Sequence, residues 1–426
     1  MMFKLVYNFL YKYLIIIRNY EIIRIQKFCM KIALVSAFLD DGYQHNLNDE
    51  FMEKVVCQED HFYHRIAHSI KMRNHEVIVF YISVEKEIKR FKHKYGHEII
   101  RVPAKKIPFF HEPLVYSPML IEQIEKEFDI CHLVSGYYVM YKVPDMFDYI
   151  VKKLQNKMPV IARWAGGNHK WLFPIRKSIK KNALKKCNKI ICAGKEEISI
   201  LKNVFKISEL NIEYMINPQN LLLFKKREKQ EACKKLGIDN DKKYFLYVGR
   251  LAINKGINNL LEVFKEIEST YPEFKLVLIG DGPLKNEIKK YIKRNRLDEK
   301  IILEGRLPHN KIAYYYNASS ILFHIGISGG LPNVIVEGVA SRIPIIASRN
   351  NANIDFVNQE LGTGIIINSN DNEELKKSIE KIINNPEKFT QGIPEKIKEL
   401  SYEKFGEKLE KIFEKCLDEK KSSKEK

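Results

Sequence analysis

Two doubly wound α/β domains, each built on a parallel sheet and facing a central cleft, are what this chain predicts. Three observations carry that expectation. At 426 residues the chain is long for one core. Short apolar runs alternate with amphipathic stretches along most of its length, as strand–helix units do. Each half has its own series of runs, and a polar, Lys-rich stretch at 217–243 separates them. With 45% apolar and 11% aromatic residues there is material for two cores, which excludes global disorder.

Residues 1–29 are apolar but broken by Lys4, Lys12, Arg18, Arg24 and Lys27. Only five uncharged residues separate Lys12 from Arg18, too few for the apolar region of a secretory signal, and no small-residue cleavage site follows. No stretch reaches the roughly 18 apolar residues that span a bilayer. Two readings stay open for this extension: a basic amphipathic helix lying on a membrane, or a start placed upstream of the true one. Met30-Lys31-Ile32-Ala33-Leu34-Val35-Ser36 has the look of a fresh beginning.

The first domain is expected over 30–216. Lys31–Ala37 is a continuous apolar run, as a strand buried on both faces requires. A polar loop with Asp40-Asp41-Gly42 follows, then Phe62, Ile66 and Ile70 on one helical face. Val77–Ile82, Ile99–Val102, Ile130–Val134, Pro159–Ala162 and Lys189–Ala193 continue the strand series. After the linker at 217–243, the second domain (244–395) repeats the pattern. Tyr244–Val248 is a strand, and Ile257, Leu260, Leu261, Phe264 and Ile267 form a helical stripe. Lys275–Ile279 ends in the turn Gly280-Asp281-Gly282. Ile301–Leu303, Ile321–Ile325, Pro344–Ala347 and Ile365–Ile367 complete the sheet. Residues 396–426 read as a helix ending in a solvated charged tail with no expected role.

Open α/β sheets bind ligands beyond the carboxyl ends of their strands. That places Gly249-Arg250, Gly280-Asp281-Gly282 and Gly326–Gly330 on the rim of one cleft. Arg250 and Lys255 lie on one loop, where a planar fork and a compact ammonium can reach the same anion. Gly329-Gly330-Leu331-Pro332 opens a helix, with Pro332 expected at the first helical position. Free amides and two glycines there suit a phosphate. Glu337, five residues on, is odd beside a diphosphate unless it accepts from hydroxyls, which makes a ribose its natural partner.

These segments resemble the GT-B glycosyltransferases, in particular the large retaining family 4. That family carries Glu, seven residues, then Glu, within a Glu-Gly-(Phe/Leu)-Pro-Asn-type stretch. Gly330, Leu331, Pro332, Asn333 and Glu337 match, while the first Glu falls on Gly329 and is absent. The resemblance implies that Arg250 and Lys255 hold the diphosphate and stabilise the leaving group, and that Glu337 holds the ribose. It implies further that Gly249, Gly305, Arg306, Gly329, Gly330, Leu331, Pro332 and Asn333 line the nucleotide site. On the acceptor side it points to Gly42, Tyr43 and His169, more loosely. The implied reaction moves a sugar, with retention, from a nucleoside-diphosphate sugar to a glycan or lipid-linked acceptor in cell-surface polysaccharide or glycolipid synthesis. No metal and no further cofactor is expected. An epimerase on the same fold, or a nucleotide-sugar-binding pseudoenzyme, is the alternative that Gly329 keeps open.

The formal charge of +19 concerns partners and steering rather than fold. Eight Lys/Arg and no acid fall between Lys170 and Lys189, and a second basic patch runs from Lys89 to Lys106. An anionic membrane surface would suit both, which predicts a cytoplasmic protein peripheral on the inner face of the plasma membrane; a solvated helix face is the plainer account. No aromatic-interleaved motif accompanies the charge, which argues against nucleic acid. Seven scattered cysteines without zinc spacing read as reduced thiols.

Overall fold

The computed structural model describes residues 29–39, 47–58, 60–107, 114–134, 145–164, 174–326, 332–349, 351–369, 371–390 and 395–424. In the N-terminal domain the strands are β1 (Lys31–Leu39), β2 (Glu76–Ser83), β3 (Lys89–Lys92), β4 (Glu98–Pro103), a separate pair β5 (Lys105–Ile107) and β6 (Leu114–Tyr116), then β7 (Ile130–Leu133), β8 (Val160–Trp164), β9 (Lys189–Cys192) and β10 (Ile212–Tyr214). The main sheet runs β10-β9-β8-β7-β1-β2-β4-β3, and only β3 is antiparallel to its neighbour. The order reverses between β1 and β7. Helices α1 (Phe62–Lys71), α2 (Pro118–Glu127), α3 (Met146–Leu154), α4 (Pro174–Lys185) and α5 (Lys195–Asn203) supply the crossovers. Strands β3 and β5 went unforeseen because most of their residues are charged, and β6 because three apolar residues are too short a run to show a period.

The second sheet is entirely parallel, in the order β13-β12-β11-β14-β15-β16. Its strands are β11 (Lys243–Val248), β12 (Phe274–Ile279), β13 (Ile301–Gly305), β14 (Ile321–His324), β15 (Ile345–Ser348) and β16 (Gly364–Ile367). Helices α6 (Lys229–Leu236), α7 (Ile257–Ile267), α8 (Lys285–Arg294), α9 (His309–Ala318), α10 (Asn333–Ala340), α11 (Asn372–Asn384) and α12 (Tyr402–Lys424) follow in chain order. Strand β11 is completely buried beyond Lys243 because layers of side chains cover both its faces. Here the order reverses between β11 and β14, and this switch point is where a ligand crevice forms.

Two expectations about organisation need correcting. The stretch 217–243 is not simply a linker: Phe224, Ala232 and Cys233 are buried with Tyr244 and Tyr316, so helix α6 belongs to the second domain. A short helix needs only a few apolar residues on one face, and the polar majority hid them. The final helix, expected with its charged tail to have no role, is part of the first domain's core. Phe405, Leu409, Phe413 and Cys416 recur at helical spacing and pack with Ile32, Leu34, Val79 and Ile161 of the first domain. Buried Glu410 accepts from Arg73 Nη2 at 2.9 Å and pairs with His75 Nε2 at 2.9 Å, which fixes the helix laterally. The chain therefore crosses between domains twice, and the crossings touch where Gln219 N–H donates to Leu400 O at 2.8 Å.

The basic stretch 170–189 is also less available than its composition suggests. Lys180 is buried, 2.9 Å from Asp145 and 3.1 Å from Asp148. Lys189 is buried beside Glu213. All seven cysteines are unpaired thiols.

Two predictions follow from this packing. Phe413→Ala should cost about 3–5 kcal/mol in chemical denaturation, the usual loss for a buried phenylalanine; a loss under 1 kcal/mol would mean α12 is not part of the core. Burial drives His97 down to about 2 and His132 down to about 3 from an ordinary 6.5. The unfolded chain then binds protons first as pH falls, so stability is full above about 6.5 and is lost towards pH 4. Thermal midpoints measured from pH 7.5 to 4 should decline over that window, and less steeply in His132→Leu, which removes two buried nitrogens with no partner. A midpoint that rises on acidification would contradict this.

Candidate active site

The site is built by loops that leave the carboxyl ends of β11, β12, β13 and β14. Gly249 N–H donates to Ile279 O at 2.9 Å, Leu251 N–H to Asp281 O at 3.0 Å, and Gly280 N–H to Gly305 O at 2.8 Å. The first three loops are thereby stitched to one another. The hydroxyl of Tyr247, on β11 itself, donates to Arg250 O at 2.9 Å and fixes the loop at the residue that carries the guanidinium. Sequence reasoning read Tyr247 only as a strand residue.

Lys255 stands at the switch point. A Cβ added to Gly326, which follows β14, would lie 2.3 Å from Lys255 Cα, so only glycine lets the two backbones meet. Next to it Gly256 has φ +70°, and its own Cβ would come within 2.8 Å of Ile325 O. This backbone-on-backbone contact sets Lys255 beside the segment that leads from β14 into α10. His324, buried at the end of β14, is pushed down to about 4 by burial and further by Lys255, so it stays neutral beneath that cation. Ser348 Oγ donates to Gly326 O at 2.6 Å and holds the turn from below.

Among the described residues neither Arg250 nor Lys255 has a carboxylate within ion-pair reach, and Arg250 is exposed. Two cations without a carboxylate partner on one six-residue loop are the arrangement that a candidate anion site requires. Arg306, also exposed, follows the end of β13 and draws on Asp281. The Asp281 carboxyl sits below its usual range, first because it accepts from Gly282 N–H and next because of Lys285. Beside the Lys255 loop a cavity of about 610 Å³ is bordered by Asn254, Gly256, Pro283, Ile325 and Gly326, a volume in the range of small-molecule sites.

Helix α10 begins one residue later than expected. Pro332 is extended (φ −70°, ψ 138°) and caps the helix, and Asn333 is its first residue. The extended ψ puts Pro332 outside the helical turn, although its missing N–H still leaves no orphan donor. Glu337 is not on a solvent face: it is buried and accepts the Tyr316 hydroxyl at 2.8 Å. Its other oxygen lies 3.9 Å from His309 Nε2. Burial, then the neighbouring carboxylate, raises the Tyr316 phenol well above its ordinary value, so it remains a hydrogen-bond donor. Tyr316 therefore orients Glu337 and leaves Oε1 available to a hydroxyl. Gly329, Gly330 and Leu331 lie outside the described residues, as do Gly42, Tyr43 and His169.

His64, His93 and His97 come together in the first domain, their ligand nitrogens within 4.8 Å of one another. Spacing along the chain does not hint at this, since His64 is far from the other two. As built they do not offer three lone pairs to a metal. Tyr95 N–H donates to His93 Nδ1 at 3.1 Å, so in the neutral ring Nε2 carries the proton. The rings are also stacked, 16–20° from parallel, so their in-plane lone pairs do not converge.

Residues 228–399 match the family described as Glycosyl transferases group 1. An uncharacterized glycosyltransferase of Haemophilus influenzae is 29% identical over 232 residues, 54% of this chain and 61% of the relative, so the chain spans less than two thirds of that protein. The alpha-monoglucosyldiacylglycerol synthase of Streptococcus pneumoniae is 23% identical over 368 residues, 81% of this chain and 79% of the relative. Among solved structures, Anabaena HepE in complex with UDP superposes with a TM-score of 0.63 at 12% identity, covering 92% of this chain and 100% of that one, a likeness of fold.

Gly326→Ala tests the contact on which this geometry rests. It should destabilise the protein by about 1–3 kcal/mol, as overpacking against backbone does, read from the thermal midpoint. An unchanged midpoint would show that the loop can simply move aside.

Proposed function

Because the chain belongs to the group 1 glycosyl transferases and has the GT-B pairing of two Rossmann-like domains, we propose that it transfers a sugar from a nucleoside-diphosphate sugar to a glycan or lipid-linked acceptor, with retention at the anomeric carbon. The observation that carries this is the pair of uncompensated cations, Arg250 and Lys255, on the loop that meets Gly326 at the sheet's switch point.

In this reading the diphosphate lies between that loop and the amino end of α10. Fixed cations stabilise the charge that grows on the leaving oxygen, and they need no reorganisation as it develops. Gly305 and Arg306 border the base, and Glu337, held by Tyr316, accepts from the ribose through Oε1. No general base is required: the acceptor hydroxyl attacks from the face the diphosphate leaves, and a phosphate oxygen takes the proton. Holding both substrates in a cleft between the domains supplies much of the rate. Gly42, Tyr43 and His169 are proposed on the acceptor side. The printed name of the Streptococcus relative, a glycolipid synthase, supports a lipid-linked acceptor. The residual basic face of the first domain supports transient docking on an anionic leaflet.

Gly329, where the resemblance places a carboxylate, favours a weaker hold on the donor sugar, and a nucleotide-sugar-binding protein without turnover is the second reading. The test is a thermal-shift screen with UDP, GDP, ADP and their sugars, followed by incubation with lipid and glycan acceptors. At least one diphosphate nucleotide should raise the midpoint, as any ligand of the folded state does. Arg250→Ala and Lys255→Ala should each weaken its binding about a hundredfold, in line with loss of one charge-assisted contact. Stabilisation that survives both changes would overturn the site. Binding without transfer to any acceptor would favour the second reading.

A further inference from the structure

Where the two interdomain crossings touch, one buried side chain joins the domains through its amide. Gln219 is 1% exposed, and Arg65, on α1 of the first domain, is 3% exposed. The Arg65 guanidinium donates from Nη1 to Gln219 Oε1. Gln219 Nε2 donates in turn to Asn333 Oδ1 at 2.8 Å, and Asn333 is the first residue of α10.

The direction of this chain is dictated chemically. A guanidinium can only donate, so it captures the oxygen of Gln219 and turns the NH₂ towards Asn333. Asn333 must then meet Gln219 with its own oxygen, which turns its NH₂ the other way. That group has no acceptor among the described residues. It is presented at the amino end of α10, the end that the donor-site reading gives to the diphosphate.

We infer that Gln219 is a positioning residue of the donor site: with Arg65 it locks the Asn333 amide donor-outward, towards the phosphate or sugar oxygens of the bound nucleotide. The inference rests on the donor-site reading above. It also makes the orientation dependent on both domains, because Arg65 reaches α10 only through the hinge. Separation of the domains at Arg65 removes the group that fixes the polarity, and Asn333 is then free to turn its oxygen outward, where it repels an anion.

Calorimetry on the full chain tests this with whichever of UDP, GDP or ADP binds the wild type. Gln219→Glu keeps an acceptor for Arg65 but loses the donor, so Asn333 must turn its NH₂ inward. The expected result is a thermal midpoint close to wild type and a Kd raised about tenfold or more, the scale of one hydrogen bond to a charged ligand. Asn333→Ala should give a similar loss, and Gln219→Glu should add nothing in that background, since the two act through one bond. A merely structural role would make the losses independent. Should Gln219→Glu not fold, Asn333→Asp carries the test: it still accepts from Gln219 but turns an oxygen outward, and the same loss of at least about tenfold is expected. A Kd within twofold of wild type in the variant measured, or additive losses, overturns the inference. A wild type that binds none of the three nucleotides overturns the donor-site reading itself, and this inference with it.

Discussion

Everything proposed for this protein hangs on a contact between two pieces of backbone. Lys255 Cα presses on Gly326 at the point where the second sheet reverses its strand order. Gly326 is held from below by the Ser348 hydroxyl. The loop is held by main-chain hydrogen bonds to the neighbouring turns and by Tyr247 beneath it. Because those bonds tie the loop to β11 and β12 while its backbone abuts the end of β14, the cation rides on the rigid sheet. Preorganisation of this kind is what makes a charge useful in a transition state, since nothing has to move when the leaving group develops its charge.

In the proposed reading the second domain supplies the anion site, and the first domain reaches it by way of the hinge. The terminal helix makes this possible. By burying Phe405, Leu409, Phe413 and Cys416 in the first domain, α12 forces the chain to return across the cleft and brings Leu400 against Gln219. The two crossings then act as one joint. Arg65 and Asn333, from opposite domains, meet on its single buried amide. On the inference drawn above, closure and the chemistry of the donor loop are linked there by the polarity of hydrogen bonds, without a bulky lever.

Much of this architecture was legible before any coordinates. The apolar runs of β1, β2, β4, β7–β9 and β11–β16 are short, continuous and rich in Ile and Val, which is what strands buried on both faces require. The glycines and cations of the candidate site's loops were legible as well, because they sit directly after those runs. Side chains that orient others were not. Tyr316 reads as one of three consecutive tyrosines in an amphipathic helix, and nothing in its spacing singles it out as the partner of Glu337. Gln219 is one polar residue in a polar stretch, and its importance comes from the folding of two distant crossings onto it. The α12 stripe was present in the sequence, but nothing in its spacing says which domain it packs against.

The most direct measurement is the structure of the complex with the nucleoside diphosphate that binds. The account predicts both phosphates within about 3 Å of Arg250 and Lys255 nitrogens, at the amino end of α10 and with the ribose towards Glu337. Phosphates held by any other loop, with Arg250 and Lys255 left in solvent, would contradict it.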